Sequence, residues 1–452
     1  MADYRLREPS YLGGAGRLLL LAIPLLAVLG GLGALVYLWA RSTAPAVEVA
    51  GGFPRALGPA TPMKVRWQNP HGARRVTVWV EQNGTRTAAY EQAQPATRFR
   101  FRPVPAGPGE ASLSIGKKEV PGLVAGSALV TVEVESNDLR GQVGRVSKEL
   151  AVVLEKPRVT AGAEPVFVRR GGTALVMFTV GGGWDTAGVR AGRYEFPSWP
   201  LKGAAERRVS LFTIPPDLEP DAEVELFARN AIGDEATAEF RYKVTPVKFR
   251  ERTMELGAGL VEKVLGELDP GTQGEAAVRF ARVNSVMRRA NDAALAALAA
   301  KSDGKRLWNG PFLMLPRGKA EALFADHRTY KLGGKELNRE WHLGVDMASV
   351  KNAAVPAGNA GKVVHAGRLG IYGNCVVIDH GMAVLTVYGH MSGIGVKVGD
   401  VVAKGQEIGR SGMTGLAGGD HLHLGLMVGS AFVDPVEWSY GDWIKRTERL
   451  LE

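Results

Sequence analysis

The apolar run from Leu18 to Ala40 constrains this chain more than any other feature. It contains Leu18-Leu19-Leu20-Leu21 and Leu32-Gly33-Ala34-Leu35-Val36, and it is long enough to cross a bilayer as a helix. Arg5, Arg7 and Arg17 precede it, which places the tail of residues 1–17 in the cytoplasm; Arg41 on the far side weakens that asymmetry slightly. The run closes on Tyr37-Leu38-Trp39, aromatics of the kind found at membrane interfaces, and not on a small-x-small cleavage site. The reading is an uncleaved anchor over residues 18–40 with everything after it outside the cytoplasm. A cleaved signal peptide is the rival.

Beyond the anchor the expected fold is mainly β. Residues 41–62 are rich in Ala, Pro and Gly and read as a linker. Arg75-Val76-Thr77-Val78-Trp79-Val80 and Leu129-Val130-Thr131-Val132-Glu133-Val134 alternate with the period of half-buried strands, which predicts a β-sandwich spacer over residues 63–156. Pro157 marks a boundary. Residues 157–248 hold a second β region, in which a strand at Glu223–Asn230, a turn, and a return through Ala236–Val244 match the closing hairpin of an immunoglobulin-like sandwich in pattern alone. The 58 glycines suit such a turn-rich chain.

Residues 249–302 change period. Leu256, Leu260, Val264 and Leu268 recur every four residues, as do Val283, Met287 and Leu295 with their neighbours, and Asp269-Pro270-Gly271 separates the two runs. This predicts a helical hairpin linking the spacer to residues 303–445, with a regulatory or docking element as the sharper alternative. Formal net charge is +10, but no Arg/Lys block is interleaved with aromatics, which argues against nucleic acid as partner. The single cysteine, Cys375, excludes an internal disulfide and a cysteine-based metal site; within Asn374-Cys375-Val376-Val377-Ile378 it reads as a buried, inert thiol.

Seven of the eight histidines fall after residue 320. They enter three patterns: His342-Leu343-Gly344-Val345-Asp346, Tyr388-Gly389-His390-Met391-Ser392, and His421-Leu422-His423. Imidazole and carboxylate suit zinc, which in catalytic sites takes three protein ligands and keeps one position open. On a strand, His421 and His423 point to one face, so one can ligate while the other stands beside the open position. Gly344 argues against the helical His-Glu-x-x-His arrangement, and no glutamate base is supplied, so the proton work falls to histidine.

Taken together, the three patterns in this order resemble the lysostaphin/LytM-type zinc endopeptidases over about residues 340–438. Gly361-Lys362-Val363-Val364, Gly373–Gly381, Val398–Gln406 and Ile408-Gly409 also follow that family's pattern. The resemblance implies an antiparallel β catalytic domain, with zinc held by His342, Asp346 and His423 and with His390 and His421 as catalytic histidines. With the N-terminal anchor, it also implies peptidoglycan as substrate, cut at its peptide cross-links in the periplasm by an enzyme held in the inner membrane. His380 reads as structural, His365 as a strand-surface residue and Asp326-His327 as a solvated loop. Tyr372, Tyr388 and Asn374 are further candidates for the groove. Asp420 stands where the family has proline, and a carboxylate there is expected to raise the pKa of His421 or alter substrate preference.

Two alternatives stay open: a latent or non-enzymatic wall scaffold that activates another hydrolase, and a metallopeptidase acting on proteins. A restraining segment or a regulatory protein partner is expected of an enzyme able to breach the wall, and Asp326–Glu340 is positioned to cover the groove.

Overall fold

The computed structural model describes residues 14–97, 108–219 and 221–451, with side chains from Ala22 onward. Arg5 and Arg7 of the expected cytoplasmic tail lie outside the described residues. The chain divides between Glu155 and Lys156 into two compact units, and it is mainly β.

In the first unit, helix α1 spans Gly14–Ala40, so Arg17 falls inside it, and its segment Ala22–Ala40 is long and apolar enough to cross a membrane. Two sheets follow. One is antiparallel, with Thr61–Gln68 between Ala46–Val49 and Gly109–Ile115. The other has five strands in the order Ala56–Leu57, Val143–Val152, Gly126–Ser136, Ala73–Gln82 and Thr85–Ala93. Their inward residues, among them Val65, Val78, Val132 and Ile115, form one core. The 41–62 linker is corrected here: it contributes two strands, and Ala56 and Leu57 are buried. The alternation of small apolar residues was too short to stand out against its Pro and Gly.

In the second unit, residues 158–238 build a seven-stranded sheet, in which Val224–Arg229 and Glu235–Ala238 form the expected hairpin. The return does not continue to Val244 in that hairpin: Tyr242–Thr245 leaves to pair in parallel with Val166–Arg169. This region shares a core with the C-terminal part of the chain, Phe178, Phe196 and Leu226 clustering with Trp308, Val428 and Trp438. The Trp438 Nε1–H donates to Thr173 Oγ1 at 3.0 Å, and Arg169 pairs with Asp434 at 2.9 Å.

Helices α2 (Ala258–Leu268), α3 (Ala276–Arg282) and α4 (Arg288–Ala299) follow, with α3 running into α4 through a π-helical turn at Val283–Met287. Val261, Val264 and Leu265 recur on one buried face of α2. The hairpin is therefore not a bare connector. The Lys263 ammonium donates to the carbonyls of Met413, Gly415 and Ala417, while Glu267 accepts from the Gly415 N–H at 2.7 Å. Asn291 Oδ1 on α4 accepts from the Ile371 N–H at 3.0 Å. The helices thus brace two loops that border the site described below.

Nine strands place that site: β1 (Glu251–Glu255), β2 (Lys319–Ala322), β3 (Asp326–Leu332), β4 (Lys335–His342), β5 (Val345–Ala348), β6 (Gly361–Arg368), β7 (Asn374–Asp379), β8 (Val384–Met391) and β9 (Leu422–Val428). The main antiparallel sheet runs β2-β5-β9-β8-β7-β6. β8 and β9 are buried along their whole length, as their near-continuous apolar sequences require when both faces are covered. A second sheet is β1-β3-β4, with β1 parallel to β3 and β3 antiparallel to β4. The expected solvated loop at Asp326-His327 is corrected: Asp326 is buried at the start of β3 and takes both prongs of the Arg250 guanidinium at 2.7 Å. A carboxylate buried by so distant a partner carries no local signal.

Candidate metal centre

Strand register assembles the centre. Asp346 on β5 lies directly across from His423 on β9, so their side chains leave the sheet on one face. Gly389 of β8 lies across from His423 on its other side and adds no side chain. His342 ends β4, and the turn at Leu343-Gly344 carries the chain into β5. A Cβ at Gly344 would stand 2.5 Å from His423 Nε2, so only glycine lets the backbone pass the imidazole. The i, i+4 spacing of the first pattern thus spans a corner between two sheets.

His342 Nε2, Asp346 Oδ1 and His423 Nδ1 converge. Nε2 is 2.8 Å from Oδ1 and 3.1 Å from His423 Nδ1, which in turn is 2.9 Å from Oδ1. His342 Nδ1 stands 2.9 Å from the Leu323 carbonyl and donates to it. In the neutral ring its Nε2 is therefore a bare acceptor facing a carboxylate oxygen. Two acceptors held this close call for a cation between them. Ligands about 2.0–2.1 Å from one tetrahedral zinc would stand roughly 3.3 Å apart, so this donor set fits zinc with slight expansion.

His390 and His421 border the same cavity of about 420 Å3, with ring centroids 4.8 Å apart. His390 Nδ1 donates to the Thr414 carbonyl and His421 Nδ1 to that of Gly419, each at 2.9 Å. Both rings keep Nε2 free of these backbone bonds, and that of His421 lies 3.6 Å from Asp346 Oδ1. His390 holds φ of +63°, a strained value for a non-glycine residue. Burial, with His421 and His423 nearby, pushes His390 well below the ordinary histidine range, and burial pushes His423 down to about 4. Burial alone would raise the Asp346 carboxyl, but His342 and His423 hold it well below the usual range.

All five residues singled out in the sequence thus line one cavity, and Tyr372 joins them. Tyr388 does not: it is a core residue whose hydroxyl accepts from the Gly358 N–H at 2.7 Å. Asn374 ties the Met391 carbonyl. Cys375 is fully buried, and burial pushes its thiol up. Asp420 is engaged elsewhere than at His421, accepting from Ser411 Oγ at 2.6 Å and from the Asn352 N–H at 3.0 Å. Sequence reading missed Arg328 on β3, whose Nη2 donates to Asp346 Oδ2 at 3.0 Å. The hairpin β3–β4, which holds the segment expected to cover the groove, delivers this guanidinium to the cavity.

Residues 340–435 match the model of peptidase family M23. The DD-carboxypeptidase/endopeptidase Mpg of Neisseria meningitidis is 38% identical over 95 residues, 21% of this chain and 22% of that protein. The peptidoglycan DD-endopeptidase ShyA of Vibrio cholerae is 44% identical over 87 residues, 19% of this chain and 20% of that protein. The chain therefore spans about a fifth of the length of the curated relatives it matches. Among solved structures, the lysostaphin catalytic domain of Staphylococcus simulans is 33% identical, with 29% of this chain and 95% of that one covered, at a TM-score of 0.24.

Proposed function

We propose, from the premise that this chain carries a peptidase family M23 domain over residues 340–435, that it is a zinc endopeptidase cutting the peptide cross-links of bacterial peptidoglycan. His342, Asp346 and His423 hold the metal, and His390 and His421 are the catalytic histidines. The observation that carries this reading is the meeting of one possible ligand atom each from His342, Asp346 and His423 with two further imidazoles in one cavity. The peptidoglycan-directed names of Mpg and ShyA support the substrate. The apolar helix supports a single-pass anchor in the inner membrane with the catalytic domain in the periplasm.

Zinc, when bound, supplies a Lewis acid that acidifies water and polarises a peptide carbonyl. The protein's own residues do the rest. The carbonyls of Thr414 and Gly419 fix the Nδ1–H tautomer of His390 and His421, so each presents a basic Nε2 to the cavity. One can take the proton of the attacking water; as an imidazolium it can stabilise the developing oxyanion and return a proton to the leaving amine. Burial keeps His390 neutral at physiological pH, the state a proton acceptor needs.

The test is digestion of purified sacculi by the full chain, with and without chelator, beside His423→Ala and His390→Ala. Release of cross-link peptides that requires metal and both histidines is expected. Sacculi left intact by a zinc-loaded protein that cleaves a protein substrate would move the reading to a protein-directed metallopeptidase.

A further inference from the structure

Two arginine–aspartate pairs meet through β3, and they are built differently. Arg250 uses the whole side of its fork on Asp326, Nε to Oδ1 and Nη2 to Oδ2. Arg328 reaches Asp346 with Nη2 alone, on Oδ2, and its Nε is buried with no hydrogen-bond partner among the described residues. Tyr330 is a further polar neighbour, within hydrogen-bonding reach of the guanidinium. Only 14% of the Arg328 side chain is exposed, against 48% for Arg250. Burying a guanidinium with half a fork unused is costly, and a pair kept for stability alone is better served by both prongs. The single prong has one geometric consequence. Closing the fork would draw Oδ1 toward Nε, whereas here Oδ1 stays 2.8 Å from His342 Nε2 and 2.9 Å from His423 Nδ1.

We propose that Arg328 is the positioning residue of the centre. It occupies Oδ2, so that Asp346 offers a metal one oxygen and not two, and it keeps a positive charge behind that ligand. Single-oxygen binding leaves the coordination position that catalysis needs, and partners that orient a ligand in this way typically matter 10- to 100-fold for metal affinity or activity. The inference rests on the metal-site reading above but not on the identity of the substrate.

The test loads the full chain with cobalt(II) and compares the visible absorption of wild type, Arg328→Met and Arg328→Lys. Four-coordinate cobalt absorbs several-fold more strongly than cobalt with five or six ligands. Methionine fills the space without a donor, so Asp346 is freed to bind through both oxygens and the band is expected to fall several-fold. Lysine supplies a single donor and is expected to keep the band. Peptide hydrolysis is expected to drop about 10- to 100-fold in Arg328→Met and to recover in part in Arg328→Lys. A wild-type band in Arg328→Met overturns the proposal, as does an equal loss in both variants. Should Arg328→Met fail to fold, Arg328→Lys decides alone: a retained band supports single-donor positioning and a weakened band overturns it. A band that responds as expected in a protein that leaves peptidoglycan intact sinks the substrate reading and leaves this one standing.

Discussion

His342 and His380 are both buried, and both anchor Nδ1 on a backbone carbonyl, that of Leu323 at 2.9 Å and that of Ala360 at 2.7 Å. They part at Nε2. His380 meets the Thr386 hydroxyl at 2.8 Å, a group able to donate, and so its hydrogen bonding is complete within the protein. His342 meets a carboxylate oxygen, which in its ionised form only accepts, and the Nδ1 of a second imidazole whose other nitrogen has no partner among the described residues, a donor set that a metal ion would complete. Phe312 packs on His380 at a centroid distance of 4.9 Å and seals it, whereas His342 opens onto the cavity. A buried histidine is structural or chemical according to what its second nitrogen is offered, and burial alone does not tell the two apart.

The largest effect that tests this contrast is loss of the metal. Metal analysis of zinc-equilibrated full-length protein is expected to give one zinc per chain for wild type and for His380→Ala, and none for Asp346→Ala. Hydrolysis should vanish with the zinc. Retained stoichiometry in Asp346→Ala would break the contrast outright, because the acceptors around His342 would then be satisfied some other way.

His380→Ala should instead be expensive in stability. It leaves a cavity beside Phe312 and strips both the Ala360 carbonyl and the Thr386 hydroxyl of a partner. The expected cost is about 2–4 kcal/mol, read by urea unfolding of metal-free protein. A loss below about 1 kcal/mol would mean that the corner is not the closed unit described.

The contrast also explains which parts were legible in the chain. His342, Asp346, His390, His421 and His423 sit in short patterns whose spacing survives folding, because a turn or a strand pair converts it directly into a shared face. The apolar N-terminal helix and the long alternating strands were legible for the same local reason. What orients the site was not. The carbonyls of Leu323, Thr414 and Gly419 carry no residue identity, and Arg328 and Lys263 find their partners across 18 and about 150 positions of chain. Asp326 looked solvated because Arg250, 76 residues earlier, is brought to it only by the β1–β3 pairing.

A pH measurement sharpens the comparison further. Burial lowers His380 from the ordinary 6.5 to about 4. Its neutral form is therefore favoured in the fold, and the sign follows: above pH 6.5 the residue costs nothing, and as pH falls toward 4 the unfolded chain takes up a proton that the folded chain refuses. Stability should drop through that window by up to roughly 3 kcal/mol on this account. The difference between wild type and His380→Gln, followed by unfolding at each pH, should narrow from pH 7 to pH 4. Parallel curves would show that His380 is protonated in the fold and that its sealed state is wrong.

The smallest effect concerns Asp420, the residue beside His421 that the sequence offered as a tuner of that histidine. Its carboxylate holds Ser411 Oγ and the Asn352 N–H, fastening the strand edge at residues 352–353 to the loop that leads into His421. Asp420→Ala removes two partly exposed hydrogen bonds to a charged acceptor, worth about 1–3 kcal/mol together at this depth. Because the carboxylate serves the loop and not the metal ligands, the zinc content should stay at one per chain while the turnover falls a fewfold from a looser loop. Loss of zinc from Asp420→Ala would instead make this carboxylate part of the centre's own support, and the residue beside His421 would then matter to the metal as the corner around His380 does not.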